Sequence, residues 1–313
     1  MNAIPLLQLI LTRGVGDAAL RHLAQYTALK NLSLTDAIHL DAPMLATALG
    51  ASEHAVANVA KSADDAARLW DDLQRQGIRV LWIGDKDYSA RLKAILGEQA
   101  PAFLFLKGDV GLFDLPAVGF CGSRKASDKG LDVTREAAAA LAQRNVCIIS
   151  GYAHGVDLTA HRAALAAGGA TILVLAEGIQ HFRVKKEIAD VLGQGKYLVV
   201  SQFPPGLPWL ACNAMKRNRT MIGLSDGMIL VESGNEGGTF AAGDEAIKRR
   251  HPLFVVDFAS PGPSSKANPH FIERGGIPIR RRARDRKPNL ERVLEATQSP
   301  RWRTSGFGAK LFP

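Results

Sequence analysis

The chain has 313 residues, of which 47% are hydrophobic and 22% are charged, which predicts a soluble globular protein of about two domains. No apolar run approaches the length of a membrane span, and the apolar N-terminus lacks the basic flank and cleavage site of a signal peptide, so we expect a cytoplasmic protein without a membrane partner. The formal net charge of +9 favours a polyanionic partner such as nucleic acid, although many basic enzymes bind none.

Residues 1–76 are predicted to form a small helical domain. Apolar residues recur there at helical spacing, and one helix is predicted over 53–76, ending at Gly77. The turn Gly14-Val15-Gly16-Asp17 lies between two earlier helical stretches. It fits either a SAM-like or helix-hairpin-helix domain, whose backbone amides hold a DNA phosphate, or a tight turn in a small helical bundle.

From residue 78 onward, short β-rich runs alternate with amphipathic helical stretches. Eight strands are predicted, at 78–83, 102–107, 117–121, 146–150, 170–175, 197–201, 227–232 and 253–256. Apolar strands separated by helices are typical of a parallel sheet that is covered on both faces. We therefore predict an α/β fold, with a Rossmann-like, doubly wound, mainly parallel sheet over 77–284 and a ligand site at the carboxyl ends of its strands.

The C-terminal part of the chain contains the basic run Arg-Arg-Arg-Ala-Arg-Asp-Arg-Lys at 280–287. Such a run is either a phosphate-binding arm or a solvated segment, and we favour the second because blocks of like charge are usually disordered. Residues 285–313 are predicted to be a short basic tail.

The three cysteines, Cys121, Cys147 and Cys212, are widely spaced. They form no Cys-x-x-Cys pair and no cluster with histidine, so we expect no zinc site and no other metal or cofactor. The absence of a disulfide framework in the pattern fits a reducing cytosol.

Polar and glycine residues follow four of the predicted strands. The first group is Gly122-Ser123-Arg124-Lys125, after the strand ending at Cys121. Glycine allows close approach of an anion, the amides at the following helix start carry partial positive charge, and Arg124 and Lys125 add full charges. The alternative is a plain strand-to-helix turn with a solvent-facing arginine.

The second group runs from Ser150-Gly151 to Asp157 and His161. Ser150 and Gly151 are predicted to contribute to phosphate binding. Asp157 and His161 lie four residues apart on one helix face, a spacing that could suggest acid–base catalysis. Because no serine or cysteine nucleophile accompanies them, we interpret the pair as structural.

The third group follows the Pro-rich loop 203–209 and consists of Lys216, Arg217, Asn218 and Arg219. These residues are predicted to start a helix, where cations oppose the helix dipole and so call for a compensating anion. The backbone of a nucleic acid is the natural anion, and the Asn218 amide can hydrogen-bond to the same ligand.

The fourth group, after the strand ending near Glu232, contains Ser233, Gly237, Gly238 and Thr239. The last three open another helix and form a phosphate-type nest. Because the carboxyl ends of parallel strands meet at one edge of a sheet, the four groups together predict one composite anion groove.

In combination, these motifs resemble those of the DNA-processing protein A family, also called DprA or Smf. The residues that carry the resemblance are Asp87-Tyr88 with the later stretch from Pro101 to Asp109, Gly122-Ser123-Arg124, Ser150-Gly151-x-Ala153-x-Gly155-Val156-Asp157-x-x-x-His161-Arg162, Phe203-Pro204-Pro205-Gly206 and Arg217-Asn218-Arg219. The resemblance runs from about Leu6 to Ile279 and is looser in the helical part.

The resemblance implies a homodimer that binds single-stranded DNA, protects it and loads the RecA recombinase during natural transformation, without catalytic residues. The family's DNA contacts carry over to Gly122, Ser123, Arg124, Lys216, Arg217 and Arg219, and its fourth turn to Ser233, Gly237, Gly238 and Thr239.

Two departures from the family pattern keep other functions open. Gly237-Gly238-Thr239 replaces the usual Ser-Gly-Ser and is similar to the loop of lysine-decarboxylase-like nucleotide hydrolases, for which Glu245 and Arg219 are candidate catalytic residues. A nucleotide sensor is a further alternative. Many members of the family also carry a winged-helix domain, in whose place we expect only the basic tail.

Overall fold

The structure is a computed structural model that describes residues 3–193, 195–300 and 302. Within these residues the helices are α1 Ile4–Leu11, α2 Asp17–Lys30, α3 Leu34–Ile38, α4 Ala42–Leu49, α5 Glu53–Val56, α6 Ala63–Arg75, α7 Ala90–Leu96, α8 Asp128–Ala142, α9 Val156–Ala166, α10 Ala189–Leu192, α11 Ala211–Leu224, α12 Gly238–Lys248, α13 Asn268–Glu273 and α14 Glu291–Gln298. The strands are β1 Arg79–Trp82, β2 Phe103–Gly108, β3 Ala117–Cys121, β4 Cys147–Ser150, β5 Ala170–Val174, β6 Lys196–Ser201, β7 Gly227–Leu230, β8 Leu253–Val256 and β9 Ile277–Ile279. None of the helices in the described ranges has the length and apolar character needed to cross a lipid bilayer.

Helices α1 to α6 precede the first strand, so the N-terminal part is helical as predicted. The single helix predicted over 53–76 is wrong, because α5 and α6 are separated by a short irregular segment. In that segment the Gln8 side chain donates a hydrogen bond to the Val59 carbonyl at 2.9 Å. This tertiary contact occupies a carbonyl that a continuous helix would use for its own ladder.

The strands form one sheet in the order β1-β2-β6-β5-β4-β3-β7-β8-β9. Strands β3 to β9 pair in parallel with their neighbours, whereas β2 pairs antiparallel with both β1 and β6. The predicted α/β fold with a mainly parallel sheet is therefore confirmed. Strand β9 was not predicted, because it has only three residues and Pro278 at its centre.

Alternate strand residues bury their side chains on opposite faces of the sheet. Ile149 and Leu230 belong to the core on the face that also contains the N-terminal helices. Ile148 and Ile229, each one residue earlier, belong to a second core with α8, α9 and α14. Both faces of the central strands are therefore covered, as their continuous apolar sequences require.

A buried ion pair fixes the amino ends of β3 and β7 side by side. Arg91 and Asp226 lie 3.2 Å apart, with side chains 4% and 1% exposed. The Arg91 guanidinium donates to the carbonyls of Leu224 and Leu115, each at 2.6 Å, and Asp226 accepts from the Ala117 amide at 2.9 Å. These bonds secure the two strands between which the direction of chain winding reverses.

The C-terminal basic run is mostly exposed, as expected of a solvated segment, but it is folded and not disordered. Arg281 and Pro288 form an antiparallel bridge, and the Asn289 amide donates to the Arg280 carbonyl at 2.8 Å. After this hairpin, Leu290 and Val293 of the α14 region are buried in the second core. Of the predicted tail 285–313, residues 301 and 303–313 lie outside the described residues, and the domain boundaries at 76 and 284 stay predictions.

Candidate functional site

The topology creates a crevice at the carboxyl ends of β3 and β7. From β3 the chain winds outward through β4, β5 and β6, then returns to β7 and winds in the other direction through β8 and β9. The neighbouring strands β3 and β7 thus flank the switch point, where doubly wound sheets bind ligands. A cleft of about 380 Å³ lies there.

Seven of the residues predicted to bind phosphate line this cleft. They are Gly122, Ser123, Arg124, Arg217, Asn218, Gly238 and Thr239. They come from the turn after β3, from α11 and from the start of α12, which are far apart in the sequence. The structure therefore brings together residues from the first, third and fourth predicted groups, although not every member of each group lines the cleft.

The turn after β3 is held by backbone packing against the turn after β4. Gly155 has a left-handed φ of +77°, and a Cβ at this position would overlap the Ser123 carbonyl and lie 2.7 Å from the Arg124 carbonyl oxygen. The Ser123 hydroxyl accepts a hydrogen bond from the Lys125 amide at 3.0 Å. The backbone is thus fixed, while the Arg124 and Lys125 side chains remain exposed.

Arg217 is the most buried of the cations that line the cleft. Its side chain is only 10% exposed, and its Nη1 atom lies 3.9 Å from the Asp157 Oδ2 atom. Its Nε atom is buried without a hydrogen-bond partner. Burial lowers the pKa of Arg217 and raises that of Asp157, and the attraction between the two charges opposes both shifts. Because Arg217 also lines the cleft, an anion bound there would add to the charge compensation that Asp157 provides.

The prediction that Lys216, Arg217 and Arg219 start a helix is wrong. Helix α11 begins at Ala211, directly after the Pro-rich loop, so these residues lie in its middle and the dipole argument does not apply. The α11 residues that line the cleft are Ala214, Arg217, Asn218 and Met221. Their spacing is helical, so the correct helix start would have grouped them in advance.

Lys216 and Arg219 are not part of the cleft. They line a separate cavity of about 450 Å³ together with Asp17 and Arg21 of α2. The Arg219 Nε atom lies 3.3 Å from Glu245 Oε1, and the same carboxylate oxygen is 2.7 Å from Arg249 Nε. The Arg219 and Glu245 pair considered for nucleotide hydrolysis therefore lies outside the cleft.

Helix α12 begins at the cleft with a glycine-rich turn. Gly237 has a left-handed φ of +93° and caps the helix without a side-chain hydrogen bond. Free amides at a helix start favour an anion. The Asn218 side chain donates to the Gly238 carbonyl at 3.1 Å, which ties this turn to α11.

Ser150 and Ser233 are buried behind the cleft surface. The Ser150 hydroxyl donates to the Phe120 carbonyl at 2.8 Å, and the Ser233 hydroxyl donates to the Gly234 carbonyl at 2.8 Å. Gly151 lies under the Arg217 guanidinium, where a Cβ would overlap it. These three residues support the lining rather than form it.

Asp157 and His161 fix the turn after β4. Asp157 accepts from the Ala153 amide at 3.3 Å. His161 Nε2 lies 2.5 Å from the Gly151 carbonyl oxygen, which can only accept, so Nε2 carries the proton, and Nδ1 lies 2.6 Å from the Thr171 hydroxyl. Burial lowers the pKa of His161 to about 4, so this histidine is neutral at physiological pH.

A second cavity of about 460 Å³ adjoins the first and shares Arg124, Ala153 and Arg217 with it. Its other cations include Lys185, whose Nζ atom lies 4.6 Å from the Tyr152 ring centroid. Trp209 also lines it, and the Arg124 guanidinium lies 5.7 Å from the Trp209 ring centroid. The sequence analysis did not single out Lys185 or Trp209. Lys185 approaches Tyr152, and Trp209 approaches Arg124, only in the folded protein.

An acidic residue that the sequence analysis did not single out, Glu232, also lines the cleft. Glu232, two residues after β7, is buried and accepts a hydrogen bond from the Ser127 amide at 2.9 Å, which secures the start of α8. Within the described ranges, no group of three or more histidine, cysteine or acidic side chains is arranged to hold a metal ion.

Comparison with known proteins identifies the family. Residues 79–285 match the family model of DNA recombination-mediator protein A. The chain is 32% identical over 178 residues to DNA processing protein DprA of Streptococcus pneumoniae, covering 56% of this chain and 62% of that protein. It is 30% identical over 209 residues to DNA processing protein DprA of Bacillus subtilis, covering 66% and 69% of the two chains.

Solved structures agree with the sequence matches. DNA processing protein A from Streptococcus pneumoniae superimposes with a TM-score of 0.76 at 26% identity, covering 89% of this chain and 95% of that one. The Helicobacter pylori protein, whose structure concerns its single-stranded DNA binding mode, gives a TM-score of 0.55 at 25% identity, covering 64% and 90%. The family match spans more than half of the chain, and the chain belongs to the DNA recombination-mediator protein A family.

Proposed function

We propose that this protein binds single-stranded DNA in the cleft at the carboxyl ends of β3 and β7. The Helicobacter pylori relative, 25% identical, has a structurally described mode of binding single-stranded DNA. In our proposal, Gly122, Ser123 and Arg124 bind phosphate from one side, and Arg217 and the start of α12 from the other.

The observation that carries this proposal is the buried Arg217. Its side chain is nine-tenths buried, its Nε atom has no partner, and Asp157 approaches no closer than 3.9 Å. A buried, incompletely paired guanidinium is costly unless a ligand completes it. A phosphate diester supplies acceptor oxygens in the planar arrangement that a guanidinium recognises.

The proposed biological role is that of a cytoplasmic mediator that protects incoming DNA and loads RecA during natural transformation. The protein is proposed to act as a homodimer and without catalysis. Residues 77–284 are proposed as the DNA-binding domain, with 1–76 as a helical domain and 285–313 as a basic extension. The hydrolase hypothesis gains no support, because Glu245 is engaged by Arg219 and Arg249 outside the cleft.

The test is a mobility shift of single-stranded against double-stranded DNA at several salt concentrations. We expect preference for the single strand and a steep loss of affinity with salt. The variant Arg124→Gln is expected to weaken binding equally for all sequences and to reduce the salt slope by about 0.7.

The matched control is Arg144→Gln, which removes an exposed arginine before β4, at the opposite edge of the sheet. Equal binding by the Arg124→Gln variant and the unmodified protein would show that the cleft does not hold DNA. Release of free base from a nucleoside monophosphate would instead support the hydrolase hypothesis.

A further inference from the structure

The hairpin at 280–289 is an unusually basic surface that the cleft does not include. Six basic residues and one acidic residue stand within 280–287, in a chain whose net charge is +9. The hairpin is closed by backbone hydrogen bonds, including one from the Arg282 amide to the Lys287 carbonyl at 2.8 Å. Arg286 adopts a left-handed φ of +58° at its turn. These cations are thus presented on a folded element and not on a loose chain.

Acidic neighbours neutralise only part of this charge. Arg280 pairs with Asp257 at 2.7 Å and Arg281 with Glu136 at 2.7 Å. Arg282 and Arg284 share the single carboxylate of Asp285, at 2.7 and 3.9 Å. Arg286 and Lys287 form no ion pair among the described residues. The paired arginines anchor the hairpin, and the others leave a local excess of positive charge.

The hairpin lies at the same sheet edge as the cleft. It begins at Arg280, directly after β9, and β9 runs parallel to β8, with Ile279 opposite Val256. All strands from β3 to β9 direct their carboxyl ends to this edge. With strands about 4.8 Å apart, β3 and β9 are separated by three steps, or roughly 14 Å.

Two segments connect the cleft with the hairpin surface. A cavity of about 560 Å³ beside the hairpin is lined by Lys129, Phe258, Arg280, Arg281 and Arg286. Two carboxylates, Asp132 and Asp257, also line it, and they pair with Arg135 and Arg280. Lys129 lies in the first turn of α8, whose start is bonded to Glu232 of the cleft. The loop after β8 contributes Ser264 to the cleft and Ser260 to the hairpin cavity.

We propose that the 280–289 hairpin and its cavity form a second phosphate-binding site, which receives the same DNA strand after it leaves the cleft. This inference rests on the proposed function for the chemical class of its ligand. Clustered guanidinium groups with an adjacent aromatic ring, Phe258, are the features that hold single-stranded nucleic acid without sequence preference. The cleft holds a short segment of the strand, and the hairpin extends the contact over the edge of β9.

The experiment compares oligothymidines of about 5 and about 16 nucleotides, near the ends of the ~4–16 nucleotide range of single-strand-binding folds. Fluorescence anisotropy is measured with the triple variant Arg284→Gln, Arg286→Asn, Lys287→Gln. Asparagine is chosen at 286 because it tolerates the left-handed conformation. For the longer oligothymidine, the loss of three contacts should lower the salt slope by about 2. For the shorter one, affinity and slope should be unchanged.

The matched control is Arg144→Gln, Lys196→Gln, Arg250→Asn. It removes three exposed charges at the amino ends of the strands, and Arg250 also has a left-handed φ, of +53°. The second site is refuted if the hairpin variant binds the longer oligothymidine as tightly as the unmodified protein does. That result is expected if the hairpin instead binds an acidic protein. It is equally refuted if the hairpin variant and the control variant lose the same affinity for the longer oligothymidine. The same holds if the hairpin variant loses equal affinity for the two oligothymidines.

Failure of the proposed function has a different signature. In that case the unmodified protein fails to bind the shorter oligothymidine, or binds it without any effect of Arg124→Gln. Circular dichroism of both triple variants verifies that the fold is retained.

Discussion

Trp209 is the exposed aromatic side chain nearest to the cationic cleft residues in the part of the chain that the structure describes. It is 49% exposed, and the Arg124 guanidinium lies 5.7 Å from its ring centroid. An exposed indole loses apolar hydration when a base stacks on it, and the adjacent cation attracts the phosphate of the same nucleotide. Trp209 and Arg124 together can therefore contact both the base and the phosphate of one nucleotide.

The substitution Trp209→Ala should therefore weaken single-stranded DNA binding by about 1–3 kcal/mol, the value of one base–aromatic stack. Trp209→Phe should retain most of the affinity, because a smaller ring still stacks. Anisotropy titrations measure both effects, and quenching of tryptophan fluorescence on binding should disappear with Trp209→Ala. Identical affinities for the alanine and unmodified proteins would rule out stacking at this position.

His161 predicts a specific pH dependence of stability. Burial lowers its pKa from 6.5 to about 4, so the unfolded chain takes up a proton at a higher pH than the folded protein does. Stability should therefore fall as the pH drops from 6.5 to 4, by roughly 3 kcal/mol from this group. Above pH 6.5 the histidine contributes no pH dependence, because it is neutral in both states.

Urea unfolding at several pH values tests this in the unmodified protein and in His161→Gln. The variant is expected to be less stable at pH 7, because the bonds to Gly151 and Thr171 change, but its stability should decline less between pH 6.5 and 4. The raised pKa of Asp157 acts in the opposite direction in both proteins, so the difference between them isolates the histidine. Parallel pH profiles would contradict a neutral, buried His161.

At the scale of elements, the turns after β3 and β4 together determine the position of Arg124 at the cleft. The turn after β4 supports the turn after β3, because Gly155 approaches the carbonyls of Ser123 and Arg124. A side chain at 155 would have to push away the backbone that carries Arg124. The stability of one turn and the binding activity of the other are therefore coupled.

The substitution Gly155→Ala tests this coupling, with Gly168→Ala as its control. Both glycines have nearly the same left-handed φ, +77° and +76°, but a Cβ at 168 meets nothing within 4 Å. Gly168→Ala should cost about 1 kcal/mol of stability and leave DNA binding unchanged. Gly155→Ala should cost more and also reduce DNA affinity. Equal effects of the two substitutions on DNA binding would show that the turn after β4 does not control the position of Arg124.

Some elements of the site could be predicted from the sequence, and others could not. The strand-end turns with Gly122 and Gly238 were predictable, because glycine and polar residues directly after apolar strands identify the carboxyl edge of a parallel sheet. The orientation of α11 was not predicted, because the helix was wrongly expected to start at Lys216. With the correct start at Ala211, the 3.6-residue period places Arg217 on the face of Ala214 and Met221, and Lys216 on a different face. The burial of Arg217 and its distance from Asp157 depend on packing between segments far apart in the sequence.

At the scale of the whole molecule, the N-terminal helices and the sheet share one apolar core. Leu7 and Leu23 of the helices belong to the same buried cluster as Phe105 and Ile172 of the sheet. An interface that is part of a common core does not separate without exposing apolar surface on both sides.

We therefore expect a single cooperative unfolding transition, despite the two regions recognised in the sequence. Urea unfolding followed by tryptophan fluorescence and by far-ultraviolet circular dichroism should give coincident curves. Two separated transitions would mean that the helical region and the sheet are independent in stability.

The edge strand β9 has a consequence for self-association. The Asp257 amide donates to the Ile279 carbonyl, so the alternate residue, Pro278, directs its backbone away from β8. At that outer side the proline ring replaces the N–H that an added strand would need, and the arginine-rich hairpin follows at once. Two copies therefore cannot readily merge their sheets across this border, and a dimer that extends the sheet from β9 is disfavoured.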